Sequence, residues 1–141
     1  MPSISTTNDL VSPQETDALQ GWRAEIFDEF FARMTSTDKE FPCIFGVEAV
    51  TRGTLRYGFV ADREESQSVQ LSRILRAFTE ICRDLGKRTS LVCFFESWQA
   101  DGAHAAYWER FWQLLREVSE LDGVPWPEDI SRTLDDPKFE F

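Results

Sequence analysis

One histidine and three cysteines in 141 residues leave several functional classes without material. Zinc sites of the common Cys/His kinds draw on closely spaced ligand pairs. Here Cys43, Cys82 and Cys93 stand apart, and His104 is the only imidazole. An odd number of isolated cysteines fits reduced, mostly buried thiols better than a disulfide framework. Basic residues are also in short supply, with 15 Lys+Arg against 25 Asp+Glu and a net charge of -10. That balance argues against duplex nucleic acid, whose phosphates recruit Lys/Arg patches, and against an anionic membrane surface. No apolar run approaches the roughly 18 residues of a membrane-spanning helix. The first ten residues, MPSISTTNDL, contain neither the basic nor the apolar region of a secretory signal. Together these absences predict a cytoplasmic protein with no membrane and no nucleic-acid partner. P-loop, dinucleotide-glycine, EF-hand and Ser-His-Asp patterns are absent as well, so hydrolase and nucleotide-binding readings have no support.

What is present is apolar and aromatic. Hydrophobic residues make up 42% of the chain and aromatics 13%, including 12 Phe and 5 Trp. That composition excludes whole-chain disorder, and the length suits one domain with its own core. Residues 1–11 are polar and read as a disordered tail, with a single α+β domain over 12–141. Ser12-Pro13-Gln14-Glu15 has the form of a capping box. Leu19, Trp22, Ile26, Phe27, Phe30, Phe31 and Met34 then recur at helical spacing, which predicts a helix to about Thr35. Residues 44–50 and 54–61 are β-rich and flank Thr51-Arg52-Gly53, the pattern of an antiparallel hairpin. A second amphipathic helix is expected over 66–85, a buried strand over 89–96 and a third helix over 103–121. The tail from Asp122 is irregular, and Phe139-Glu140-Phe141 has the look of a strand beginning. The expected fold is α+β: a small, mostly antiparallel sheet (the hairpin plus at least one further strand) packed with three helices. Basic residues outnumber acidic ones only between 66 and 100, through Arg73, Arg76, Arg83, Lys87 and Arg88. Such a face is either solvated surface or a dock for a carboxylate-bearing or acidic partner.

Three strings go beyond packing. The first is Phe41-Pro42-Cys43-Ile44-Phe45-Gly46, followed by Tyr57-Gly58-Phe59. The second is Tyr107-Trp108-x-x-Phe111-Trp112-x-Leu114-Leu115. The third is Asp122-Gly123-Val124-Pro125-Trp126-Pro127. In this order and spacing they resemble the YqcI/YcgG family over about residues 22–141. The resemblance implies a haem-dependent oxygenase that hydroxylates a nitrogen of arginine or a related guanidino or amino compound, with a small-molecule substrate. The family pattern continues beyond Phe141 with a further strand and a basic, His-containing segment. The chain therefore reads as lacking the C-terminal segment, and the alternative is a shortened, non-catalytic domain acting through protein contacts or homo-oligomerisation.

Candidate site residues follow from that reading. Haem iron is held by His, Cys thiolate, Tyr or Met. His104 is the candidate metal ligand, with Tyr107 and Trp108 lining a flat pocket beside it. Cys43, behind a rigid Phe-Pro turn, is the other candidate ligand or a pocket wall. Equally, His104 can be a surface residue at a helix start, Cys43 a buried small hydrophobe, and the tryptophans core. A guanidino substrate is best held by carboxylates, which accept two parallel N–H bonds. Glu48 and Glu96, within or at the end of expected strands, are the candidate catalytic carboxylates. Either can instead face solvent or pair with Arg56.

Overall fold

The structure, a computed structural model, describes residues 9–96 and 104–125, the side chains of 104 and 105 excepted. Among these residues the elements run from a short 3-10 turn, Pro13–Ala18, to α1 (Trp22–Met34), α2 (Ile44–Arg52) and β1 (Leu55–Val60). Then come α3 (Gln67–Ile81), a 3-10 turn at Cys82–Asp84, β2 (Ser90–Phe95) and α4 (His104–Leu121). The expected capping box is present, with the Ser12 N–H donating to Glu15 Oε1 at 3.1 Å. The expected single helix from 12 to 35 is interrupted at Leu19–Gly21, and α1 starts only at Trp22.

The hairpin expectation is wrong. Residues 44–52 form a helix, and β1 pairs with β2 in parallel, from Leu55 opposite Ser90 to Val60 opposite Phe95. The sheet described is two parallel strands, not a mostly antiparallel one. Three local features make the helix. Cys43 caps it, its Sγ accepting from the Gly46 N–H at 3.3 Å. Glu48 and Arg52 pair one turn apart at 2.8 Å. Gly53 ends it in the left-handed region, φ 69°. The Gly53 and Thr54 N–H groups then return to the carbonyls of Val50 and Ala49, the two bonds of a Schellman motif. The β-branched content of this stretch is only a weak prior, and capping and side-chain pairing override it.

Parallel strands need a long crossover, and α3 supplies it. Ser66 caps α3 through a bond from the Val69 N–H at 3.3 Å. The alternation of the strands then divides the core. Leu55 and Tyr57 of β1, with Phe59 and with Val92 and Phe94 of β2, face Phe27 and Phe30 of α1 and Ala49 of α2. Val60, Leu91, Cys93 and Phe95 face Leu71 and Ile74 of α3 and Leu114 of α4. Each face thus has its own pair of helices. On the α1 side the packing is aromatic: Phe27 meets Tyr57 edge-on at 5.0 Å, and Phe59 and Phe94 stack at 5.4 Å.

The segment expected to be a loose tail is partly built in. Leu10 is buried, and Val11 exchanges both backbone bonds with Tyr57 along the free edge of β1. Residues 1–8 lie outside the described residues, as does the tail from 126 on, including Pro125-Trp126-Pro127 beyond its first proline.

Candidate functional site

The candidate residues fall in three places. Glu48 lies on α2 and points toward the amino ends of the strands. Its Oε1 accepts from Arg52 at 2.8 Å and its Oε2 accepts from Arg88, two residues before β2. Both carboxylate oxygens are thus occupied by guanidinium groups of the chain itself. Arg56, the expected partner, instead donates to the carbonyls of Gly53 and Leu55.

Glu96 follows directly on β2, at the opposite end. Its N–H bonds to the Val60 carbonyl at 2.9 Å, and its Oε2 accepts the Asp62 N–H at 2.8 Å. It therefore bridges the carboxyl ends of both strands, the position where parallel α/β layers hold their ligands. Beside it, Gln70 of α3 is 2% exposed and fully engaged. Its amide accepts from the Ala61 N–H at 2.9 Å and donates to the Ala61 and Glu65 carbonyls at 3.0 and 2.9 Å. That three-way tie fixes the turn after β1. Arg73 holds the next turn by pairing with Asp9 at 2.6 Å and with Glu65. This guanidinium keeps the Glu65 carboxyl below the usual carboxylate range, and the pairing raises the Arg73 value in turn.

The third place is α4, packed on α3 on the far face of the sheet from α2. Tyr107 and Trp108 are exposed there, Trp108 by 50%. Trp108 meets the buried Trp112 edge-on at 5.3 Å. The buried positions on this helix are Trp112 and Leu114, while Phe111 is exposed. His104 opens α4, and its side chain lies outside the described residues. Cys43 is exposed at the start of α2. Cys93, the partly buried thiol under α3, is pushed up to about 11 by burial.

A groove of about 690 Å³ runs between the α1–α2 loop and α2. Met34, Phe41, Ile44 and Val47 form its apolar wall, with Glu48 and Arg52 at one end. A smaller cavity of about 290 Å³ lies on the other side of that Glu48–Arg52 pair and takes in Thr54, Lys87 and Arg88. This basic cluster was not legible beforehand, because it joins α2 to the loop before β2. The one signal for it was the run Lys87-Arg88 after Gly86. No group of three or more His, Cys, Asp or Glu side chains that could hold a metal occurs among the described residues.

The residues expected around haem lie in two separate places. Cys43 belongs to α2 on one face of the sheet, and Tyr107 and Trp108 to α4 on the other. A pocket touching both would have to wrap around an edge of the sheet. Cys43 and the pair Tyr107 and Trp108 thus do not form one enclosed slot among the described residues. Among the described residues no helix is long and apolar enough to cross a membrane.

The sequence is similar to known proteins. The model of the YqcI/YcgG family matches residues 28–141. The YqcI protein of Bacillus subtilis is 32% identical over 145 residues, covering 100% of this chain and 56% of its own length. The YcgG protein of the same organism is 33% identical over 129 residues, 89% of this chain and 51% of its own. A Streptomyces lavendulae protein named "Putative N(omega)-hydroxy-L-arginine synthase DcsA" is 29% identical over 133 residues, 88% of this chain and 48% of its own. The chain spans about half the length of the curated relatives it matches. No solved structure shows a significant match.

Proposed function

The chain belongs to the YqcI/YcgG family, and on that premise we propose that it takes part in hydroxylating a nitrogen of arginine or a related guanidino or amino compound. The observation that carries this reading is the similarity to the Streptomyces relative, whose name gives that product class. The reaction places one atom of dioxygen in an N–H bond and reduces the other to water, consuming two electrons and two protons from a donor. The family resemblance implies haem as the group that activates the oxygen. What this chain's own residues supply is substrate recognition.

Glu96 is the carboxylate suited to that task. It sits at the carboxyl ends of both strands, with one oxygen steadied by the Asp62 N–H. A guanidinium placed there gains charge-assisted bonds to a carboxylate already oriented by the backbone. Glu48 is unsuited, since Arg52 and Arg88 occupy it. The test is arginine binding followed by calorimetry. Glu96→Gln weakens binding at least tenfold, and Glu48→Gln leaves it within about twofold. Equal effects of the two changes overturn the assignment. Haemin titration with Cys43→Ala and His104→Ala tests the cofactor separately: a saturable one-to-one Soret band altered by one of them supports haem, and no specific band sinks it.

A second reading rests on exposed apolar side chains. Ile44 (77%) and Phe45 (62%), adjacent on α2, face solvent. In this reading a second copy of the chain covers them and the domain works through that contact. Mass measurement in solution decides it, because a strict monomer at high concentration rejects self-association.

A further inference from the structure

The cavity of about 290 Å³ between α2 and the loop before β2 has a charge opposite to that of the chain as a whole. Arg52, Lys87 and Arg88 line it, against the single carboxylate of Glu48. We propose that it binds a small oxyanion, the phosphate or carboxylate group of a small molecule.

Four observations carry this. First, Glu48 offsets only one of the three positive charges, in a protein whose net charge is -10. Second, a guanidinium has five N–H donors, so pairing with Glu48 leaves Arg52 and Arg88 with donors to spare. Lys87 is exposed and has no ion-pair partner within salt-bridge distance among the described residues. Third, Arg88 is held in place before any ligand arrives. Its guanidinium lies 4.6 Å over the Phe45 ring while it pairs with Glu48. Ordering a long cation in advance reduces the entropy lost on binding. Fourth, the negative end of the α2 dipole, which would repel an anion, is partly answered. The Ala49 and Val50 carbonyls take the Thr54 and Gly53 N–H groups, and Arg56 covers the Gly53 and Leu55 carbonyls. The site is separate from Glu96, which lies at the other end of the strands.

The experiment is a titration of the full chain with sodium phosphate and, separately, sodium acetate, read by amide chemical shifts against sodium chloride at equal ionic strength. The expected result is saturable shifts confined to residues 52–54 and 86–88. A stronger response to phosphate identifies a phosphate-bearing ligand; a response to acetate as strong or stronger identifies a carboxylate-bearing one. Lys87→Ala, a surface change that spares the fold, weakens binding about threefold, and Lys87→Arg restores it. Glu48→Gln tightens binding, because it removes the competing carboxylate; a purely structural role for Glu48 predicts no gain. The proposal is overturned by shifts no different from those in chloride, or by shifts spread equally over Arg76 of α3 and Arg83 of the 3-10 turn after it. Binding indifferent to Lys87→Ala overturns it too.

Discussion

Gly58 is where the sheet and α3 come closest, and adding one methyl group there measures how tightly they fit. A Cβ built on Gly58 would stand 2.6 Å from Ile74 Cγ2 and 3.2 Å from Ile74 Cδ1. Carbon atoms in contact prefer about 3.5–4.0 Å, so the first overlap is about 1 Å. Ile74 is 3% exposed, so the side chain has no open space to enter. As a β-branched residue in a helix it also has essentially one χ1 rotamer, so α3 itself has to move. Overpacking of this kind costs roughly 1–3 kcal/mol, and the upper half of that range fits an overlap with a branched carbon rather than a chain tip. Alanine recovers about 0.5 kcal/mol, because it loses less backbone entropy on folding than glycine. Gly58→Ala therefore destabilises by about 2 kcal/mol net, lowering the urea midpoint by about 1 M. Gly46→Ala is the control in the same assay. Inside a helix, its Cβ comes nearest to the flexible end of Met34 at 3.2 Å, with Cys43 Sγ at an ordinary contact distance of 3.5 Å. That change is expected to be neutral or to stabilise by up to about 1 kcal/mol. Combining Gly58→Ala with Ile74→Ala should show a coupling of at least about 1 kcal/mol, since the second change removes the clash. If Gly58→Ala unfolds within about 0.5 kcal/mol of the parent, the close approach of α3 is refuted.

Gln70→Leu strands the buried backbone groups of Ala61 and the Glu65 carbonyl. A loss of about 2–4 kcal/mol in urea unfolding is expected, and a loss under about 1 kcal/mol counts against the tie. Burial holds the Cys93 thiol up at about 11, so at pH 8 only about a thousandth of it is thiolate. Iodoacetamide followed by mass spectrometry should mark the exposed Cys43 first and reach Cys93 only in denaturant. The same shift makes stability fall as pH rises from about 9 toward 11, where the unfolded chain gives up a proton that the folded one keeps. Arg73 lowers the Glu65 carboxyl, so that contribution is complete above the ordinary glutamate range and disappears as pH falls through the depressed folded value. Arg73→Met should flatten this part of the acid limb of a pH–stability curve.

The parts of the fold that could be read from the sequence were those whose signals are local and agree with one another. Ser66 caps α3, and Leu71 and Ile74 mark its buried face. The apolar run near 89–96 is β2 almost to the residue. The stretch 44–52 failed because two local signals conflicted. Its Ile and Val content suggests a strand, while Glu48/Arg52 spacing and Arg52-Gly53 suggest the last turn of a helix. Reading Gly53 as a left-handed cap rather than a hairpin turn decides for the helix. With 44–52 removed from the sheet, β1, a fifteen-residue helix and β2 are left in the order of a parallel crossover unit. The pairing of Val11 with Tyr57 had no such signal, since one bridge between distant residues leaves no period in the sequence.

The site was legible only residue by residue, because the distance between two strand ends leaves no mark in the sequence. Glu48 and Glu96 are alike in the sequence: each is an acid among apolar neighbours, and either could hold a guanidinium. The sheet sets them apart. Glu48 reaches Arg88 just before β2 begins, and Glu96 follows where β2 ends. Six residues at about 3.3 Å each put roughly 20 Å between the two ends. No single guanidino group spans that distance, so the two carboxylates cannot share a substrate. They have different neighbours and therefore different work. Glu48 has two arginines and a cavity with surplus positive charge, and removing its charge should favour an incoming anion. Glu96 has a backbone N–H and, among the described residues, no arginine as hydrogen-bond partner, and removing its charge should release an incoming cation. Opposite responses of the two variants to acetate and to arginine are what this separation requires. A protein in which both variants weakened the same ligand would need the strands to run some other way.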